Sequence, residues 1–146
     1  ATVIGSDISV DAIEVAFKNM EKMGLFNRAL FRKSDLFSMI REDEKFDMII
    51  SNPPYIPPAQ KENIQKEVTF EPDIALYTND EKGLEFYEKI IKGSPKHLNK
   101  GGYLLFELGI GESENVKQIM ETEGFSDIEI IKDFAGIDRV IIGQNT

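Results

Sequence analysis

Residues 46–58 read FDMIISNPPYIPP, and the rest of the chain is best read outward from them. Phe46 to Ile50 is almost wholly apolar, the pattern of a strand buried on both faces in a parallel sheet. Ser51 closes the run, and Asn52, Pro53, Pro54 and Tyr55 follow. Proline gives no N–H to a ladder, so the strand ends here. Two prolines in succession also stiffen the backbone where the strand delivers an amide side chain. The Asn52 side-chain oxygen and the Pro53 carbonyl then form two acceptors fixed in advance, suited to the two hydrogens of an NH2 group. Tyr55 adds a flat ring against which a planar amide or base can lie. The competing reading is a proline-rich strand exit with a packed tyrosine.

On either side, strands alternate with helices. TVIGSD (2–7) is a strand ending in Asp7, and Ser9 reads as the N-cap of a helix with Asp11 in its first turn. Val10, Ile13, Phe17 and Met20 recur at helical spacing, and Gly24 is placed to end that helix. ALFRKSD (29–35) is a second strand, ending in Asp35, and FDMIISN is the third. Pro53 to Asn79 is long and irregular, as a binding loop or lid would be. Glu81 to about Lys92 is expected to be helical with Leu84, Tyr87 and Ile91 inward, ending near Pro95. Gly101 and Gly102 are expected to turn the chain into the strand YLLFELG (103–109). Glu112 to Glu123 reads as a helix with Val116, Ile119 and Met120 inward, and FSDIEIIK and RVIIGQN as two closing strands. The alternation predicts an α/β fold, a mostly parallel sheet with helices on both faces. The short link from Asp133 to Asp138 leaves no room for a crossover helix, so the last two strands are expected to pair antiparallel.

Composition narrows the function classes. The chain has 146 residues, the length of one ordinary domain, with 41% hydrophobic and 29% charged residues, a globular balance. There is no cysteine, which excludes disulfides and thiolate metal sites. The single histidine, His97, is expected to be an exposed residue near a helix end, and no metal site is expected. No run is long enough to span a membrane, and the first residues lack a signal-peptide plan. Acids outnumber bases 26 to 17, a net charge of −9 without any basic cluster, which disfavours nucleic acid as a partner. Ligands of open α/β sheets bind beyond the carboxyl ends of the strands. An acid such as Asp7 at a strand end is placed to accept from a ribose diol, and Asp35 at the next end from the exocyclic amine of adenine. Each is equally readable, taken alone, as a turn residue.

SNPPYIP after a buried strand resembles motif IV of the amino-methyltransferases that use S-adenosylmethionine, a motif common to DNA adenine-N6, ribosomal RNA guanine-N2 and protein glutamine-N5 enzymes. FEPDIALYTNDEKGLEFYEKII (70–91), PKHLNKGGYLLFELG (95–109) and DFAGIDRVIIG (133–143) narrow it further. They are similar to segments of the HemK/PrmC family, the release factor glutamine N5-methyltransferases, and the likeness runs over nearly the whole chain. The resemblance implies a Rossmann-like class I methyltransferase fold, with residues 1–146 as part of the catalytic domain. It implies S-adenosylmethionine as cofactor, bound by Asp7 at the ribose, by Asp35 and Leu36 at the adenine, and by Asn52. It also implies Asn52, Pro53 and Tyr55 as catalytic residues, with Pro54 beside them lining the slot for a glutamine of a release factor. A cytoplasmic location and no direct contact with nucleic acid or membrane are expected with it. In that family a first strand and a glycine-rich loop precede the strand ending at Asp7, and a helical domain precedes both; none has a counterpart here. The chain is therefore expected to be a C-terminal part, inactive alone, with exposed strand edges open to self-association.

Overall fold

The computed structural model describes residues 1–63 and 70–146. The chain forms two compact units, Ala1–Glu44 and Lys45–Thr146, each with its own sheet. The segment between Asn63 and Phe70, part of the expected long loop, lies outside the described residues.

The first unit is one βαβ turn. Strand β1 (Val3–Asp7) pairs in parallel with β2 (Ala29–Lys33), Val3 beside Ala29 through to Asp7 beside Lys33. Helix α1 (Val10–Met23) joins them, and its ends are those the sequence predicts. Ser9 accepts from the Ala12 N–H at 3.2 Å, and Gly24 closes the helix at φ 66° with its N–H on the Met20 and Glu21 carbonyls. The inward stripe is less covered than expected. Met20 is buried, but Val10 and Phe17 remain 49% and 40% exposed. A two-stranded sheet is too narrow to cover a helix of this length. Phe17 nevertheless meets Phe31 edge to face at 5.5 Å. Arg32 forks onto both Glu44 oxygens at 2.6 Å, and this pairing holds the Glu44 carboxyl down at about 2.

In the second unit the strand order is β3-β4-β6-β5, formed by β3 (Phe46–Ser51), β4 (Leu98–Glu107), β5 (Phe125–Lys132) and β6 (Asp138–Asn145). β3 and β4 are parallel, and β6 runs antiparallel to both β4 and β5, as the short link predicts. The loop after β3 carries a 3-10 helix, Pro58–Asn63, and the short helix α2 (Asp73–Leu76). Helices α3 (Glu85–Gly93) and α4 (Ser113–Thr122) pack on the face of Leu104, Phe106 and Ile141. There Tyr87, Ile91, Val116 and Met120 are fully buried, and the Tyr87 ring meets Phe106 edge to face at 5.2 Å. Leu84 is also buried and Ile119 half-buried, so both helical stripes were readable.

Several expectations are corrected here. Helices α3 and α4 share one face of this sheet, so the two-faced cover is not seen within this unit. Accordingly β3 is not buried on both faces: Met48 and Ile50 are 48% and 70% exposed beside Tyr103 and Leu105 of β4. Gly101 and Gly102 do not precede β4 but lie inside it, where the pairing slips between Phe46 and Met48 and Gly101 takes φ 78°. His97 is buried, not exposed. It ends a short 3-10 turn, Ser94–Lys96, and its carbonyl accepts from the Phe46 N–H at 2.8 Å. The helix expected from Glu81 starts instead at Glu85. Asp80 accepts from the N–H groups of Lys82, Leu84 and Glu85 at 3.2, 3.0 and 3.3 Å and holds a turn in between.

Candidate active site

At the carboxyl end of β1, Asp7 is exposed and its Oδ1 accepts from the Ser9 N–H at 2.8 Å, which leaves its second oxygen to the outside. Its carbonyl accepts from the Ser34 N–H at 2.8 Å, so the ends of β1 and β2 are tied together. Ser34 is buried and organises the next turn. Its hydroxyl donates to the Leu36 carbonyl at 2.8 Å and accepts from the Met39 N–H at 3.0 Å. Ser38 accepts from the Asp35 N–H at 3.1 Å. The turn presents the Asp35 carboxylate outward and holds Leu36 at φ 48°, a conformation that a bulky side chain adopts only where its surroundings impose it. Asp7, Asp35 and Leu36 thus stand at one end of one parallel strand pair.

In the second unit the expected exit is present. β3 stops at Ser51, Asn52 is exposed, Pro53 is buried, and Pro54 and Tyr55 are half-buried. The loop is stitched down immediately afterwards. Ile56 donates to the Leu76 carbonyl and accepts from the Thr78 N–H, both at 3.0 Å, in a one-residue parallel bridge with Tyr77. Between the two prolines and this bridge, Asn52 and the Pro53 carbonyl have little freedom. The Tyr55 phenol is pushed up, chiefly by burial and next by the Glu107 carboxylate.

Beneath Tyr55 lies a buried polar group that the sequence did not single out. Glu112, read only as a helix start, is 9% exposed. Its Oε2 accepts from the Gly109 N–H at 3.1 Å, and burial raises its pKa to about 7. The Tyr87 hydroxyl donates to the Glu107 carbonyl at 2.9 Å and accepts from the same Gly109 N–H at 3.3 Å. Gly83 completes the packing at φ 75°, where a Cβ would come within 2.3 Å of the Tyr55 carbonyl and 2.7 Å of Glu112 Oε1. The available signal was weak: an acid directly after Gly-Ile-Gly at a strand exit reads equally as a helix start.

The model of a methyltransferase domain family matches residues 1–133. The chain belongs to this family. Among its relatives, a release factor glutamine methyltransferase of Geobacter sulfurreducens is 42% identical over 145 residues, covering 99% of this chain and 50% of that protein. One of Clostridium acetobutylicum is 42% identical over 142 residues, covering 96% and 50%. The chain therefore spans about half the length of these relatives. The crystal structure of a methyltransferase from Pyrococcus furiosus matches with a TM-score of 0.70 at 22% identity, covering 99% of this chain and 62% of that one. The fold is the Rossmann-like α/β fold of methyltransferases, as the alternation of strands and helices and the antiparallel β6 lead one to expect.

Proposed function

We propose that the protein carrying this chain transfers a methyl group from S-adenosylmethionine to the side-chain amide nitrogen of a glutamine in a peptide chain release factor. The observation that carries this is the exit of β3, where an exposed Asn52 is followed by a rigid, stitched-down Pro53-Pro54-Tyr55. The names of the 42% identical relatives support the same substrate. Residues 1–146 are read as part of the catalytic domain.

The residues present fit the cofactor's nucleoside. Asp7 offers a free carboxylate oxygen to the ribose hydroxyls, and Asp35 offers an acceptor to the adenine amine beside Leu36. When bound, the cofactor supplies an electrophilic methyl group. The task of Asn52 is set by the acceptor's chemistry. An amide nitrogen is a poor nucleophile because its lone pair is delocalised into the carbonyl. Asn52 Oδ1 and the Pro53 carbonyl hold the two amide hydrogens, so that the nitrogen can pyramidalise while its orientation is kept. The proton becomes acidic only as the nitrogen gains positive charge and would then pass to water, while the cofactor would leave as its neutral thioether, so no strong base is needed beforehand. Pro54 and Tyr55 line the slot, the Tyr55 ring lying against the planar amide.

Among the described residues no helix is long and apolar enough to cross a membrane. A release factor as substrate supports a cytoplasmic reaction. A base amine of DNA or ribosomal RNA is the second reading, since it too is a planar NH2; the net charge of −9 without a basic cluster favours protein. Incubation of the intact protein with labelled cofactor and either a release factor or adenine-containing DNA separates the two. Label in the release factor is the expected result, and label in DNA alone would overturn the reading.

A further inference from the structure

The geometry points to Glu112 as a positioning residue for the Asn52–Tyr55 loop, its buried carboxyl linking the exit of β4 to the turn on which the Tyr55 main chain rests. This rests on the reading of that loop as the amide-binding slot. Three contacts define the link. Glu112 Oε2 holds the Gly109 N–H at 3.1 Å. The approach is so close that a Cβ on Gly109 would fall within 2.5 Å of the carboxylate. On the other side Gly83 is the spacer: its missing side chain lets the Tyr55 carbonyl and Glu112 Oε1 approach the same backbone from two directions. Gly83 in turn lies in the Asp80 turn, and Thr78, just before it, bridges to Ile56, the residue after Tyr55. A displacement of Glu112 therefore reaches the loop through Gly83, and the exit of β4 through Gly109.

The groups around Glu112 decide which of its forms does the holding. From the turn before α3 comes Asp80 and from α3 the Tyr87 hydroxyl; the Tyr55 phenol of the loop feels the charge of Glu112 and also those of Glu107 of β4 and Arg139 of β6. Burial opposes its charge most and Asp80 adds to this, whereas the Tyr87 hydroxyl and the Gly109 N–H favour the charged form. Burial outweighs those two groups, so the neutral carboxyl predominates below about 7. It still accepts from Gly109 with one oxygen and gains a proton to donate with the other. The ionised form, favoured above about 7, draws the carboxylate toward water and loosens the link. Glutamine at this position is the permanently neutral counterpart.

The test uses E112Q and E112A in the intact protein, with kcat and the cofactor Kd measured from pH 6 to 9. E112A is expected to lower kcat about tenfold or more, by letting the slot move, while the cofactor Kd stays within about threefold. E112Q is expected to restore kcat to within about threefold of the parent at pH 6 and to lack the inflection near 7 expected of the parent. Unaltered kcat in E112A, or the same inflection in E112Q, would overturn the assignment. A second readout needs no substrate. With isotope-labelled glycine, the Gly109 and Gly83 amide resonances of the parent are expected to titrate together near 7 and to stay fixed in E112Q. Resonances that do not move in the parent overturn the role of Glu112, and this arm stands even if the release factor is not the substrate.

Discussion

Asn52 is the residue on which the proposed chemistry depends most. Its side chain is exposed at the end of β3, while Pro53 behind it is buried, so truncation removes an acceptor without opening the core. In the intact protein Asn52→Ala is expected to lower kcat about a hundredfold or more, with the cofactor Kd changed by less than about tenfold. The loss of one of two oriented acceptors is felt mainly as the nitrogen gains charge. Parallel measurements of kcat and Kd check this, and a near-normal kcat would remove Asn52 from its role. This residue was legible in the sequence because an amide set between an apolar run and two prolines adds nothing to the core and cannot extend the strand. Glu112 was not. Its significance depends on being buried beneath Tyr55, and a burial created by residues 55, 83, 87 and 109 leaves no local pattern. Ser34 and Ser38 were missed for the same reason, since their hydroxyls act only within a turn whose shape is set by Leu36.

Among the elements, the turn between Asp80 and Gly83 is the support most sensitive to substitution. It delays the start of α3 to Glu85 and carries the Tyr55 main chain. Gly83→Ala combines a backbone at φ 75° with a Cβ 2.3 Å from a carbonyl oxygen. The conformational part alone costs about 1 kcal/mol or more, and the shift forced on Tyr55 adds to it. Thermal unfolding is expected to move down by a few degrees, about 2–4 °C per kcal/mol for a chain of about this length. An unchanged melting temperature would mean that the turn does not bear on Tyr55. Element identities were readable almost throughout, because apolar spacing and caps such as Ser9 are local. What failed was what depends on neighbours: the exposure of Met48 and Ile50, the burial of His97, and the bulge at Gly101 that takes two glycines into β4.

For the whole molecule, the titrating groups set opposite limits on stability. Glu44, Asp133 and Asp138 are held below their ordinary range, by Arg32, by the Ile137 N–H with Arg139, and by Lys132 with Ser113 respectively. Asp80 is lowered too: burial opposes its charge, but the Leu84 N–H, the Thr78 hydroxyl and the Glu85 N–H together outweigh that cost. Stabilisation from such lowered carboxyls is present above their unfolded values near 4 and is lost as the pH falls through the folded ones, to about 2 for Glu44. Glu112 has the opposite sign. Its raised pKa favours the folded state fully below its unfolded value, and that contribution is lost as the pH rises through about 7. The melting temperature is therefore expected to be highest on the mildly acidic side of neutrality, with a decline from pH 6 to 8 that E112Q reduces. Identical declines in parent and variant would contradict this. The parallel order and the antiparallel β6 were legible at this scale because link lengths constrain them. The central claim remains the acceptor atom. After reaction of the intact protein with a release factor and methyl-labelled cofactor, fragment mass spectrometry of the product locates the methyl group. A single methyl on a glutamine side-chain nitrogen, absent with Asn52→Ala, is the predicted result; a methyl on any other residue type, or none on the release factor, would contradict the account.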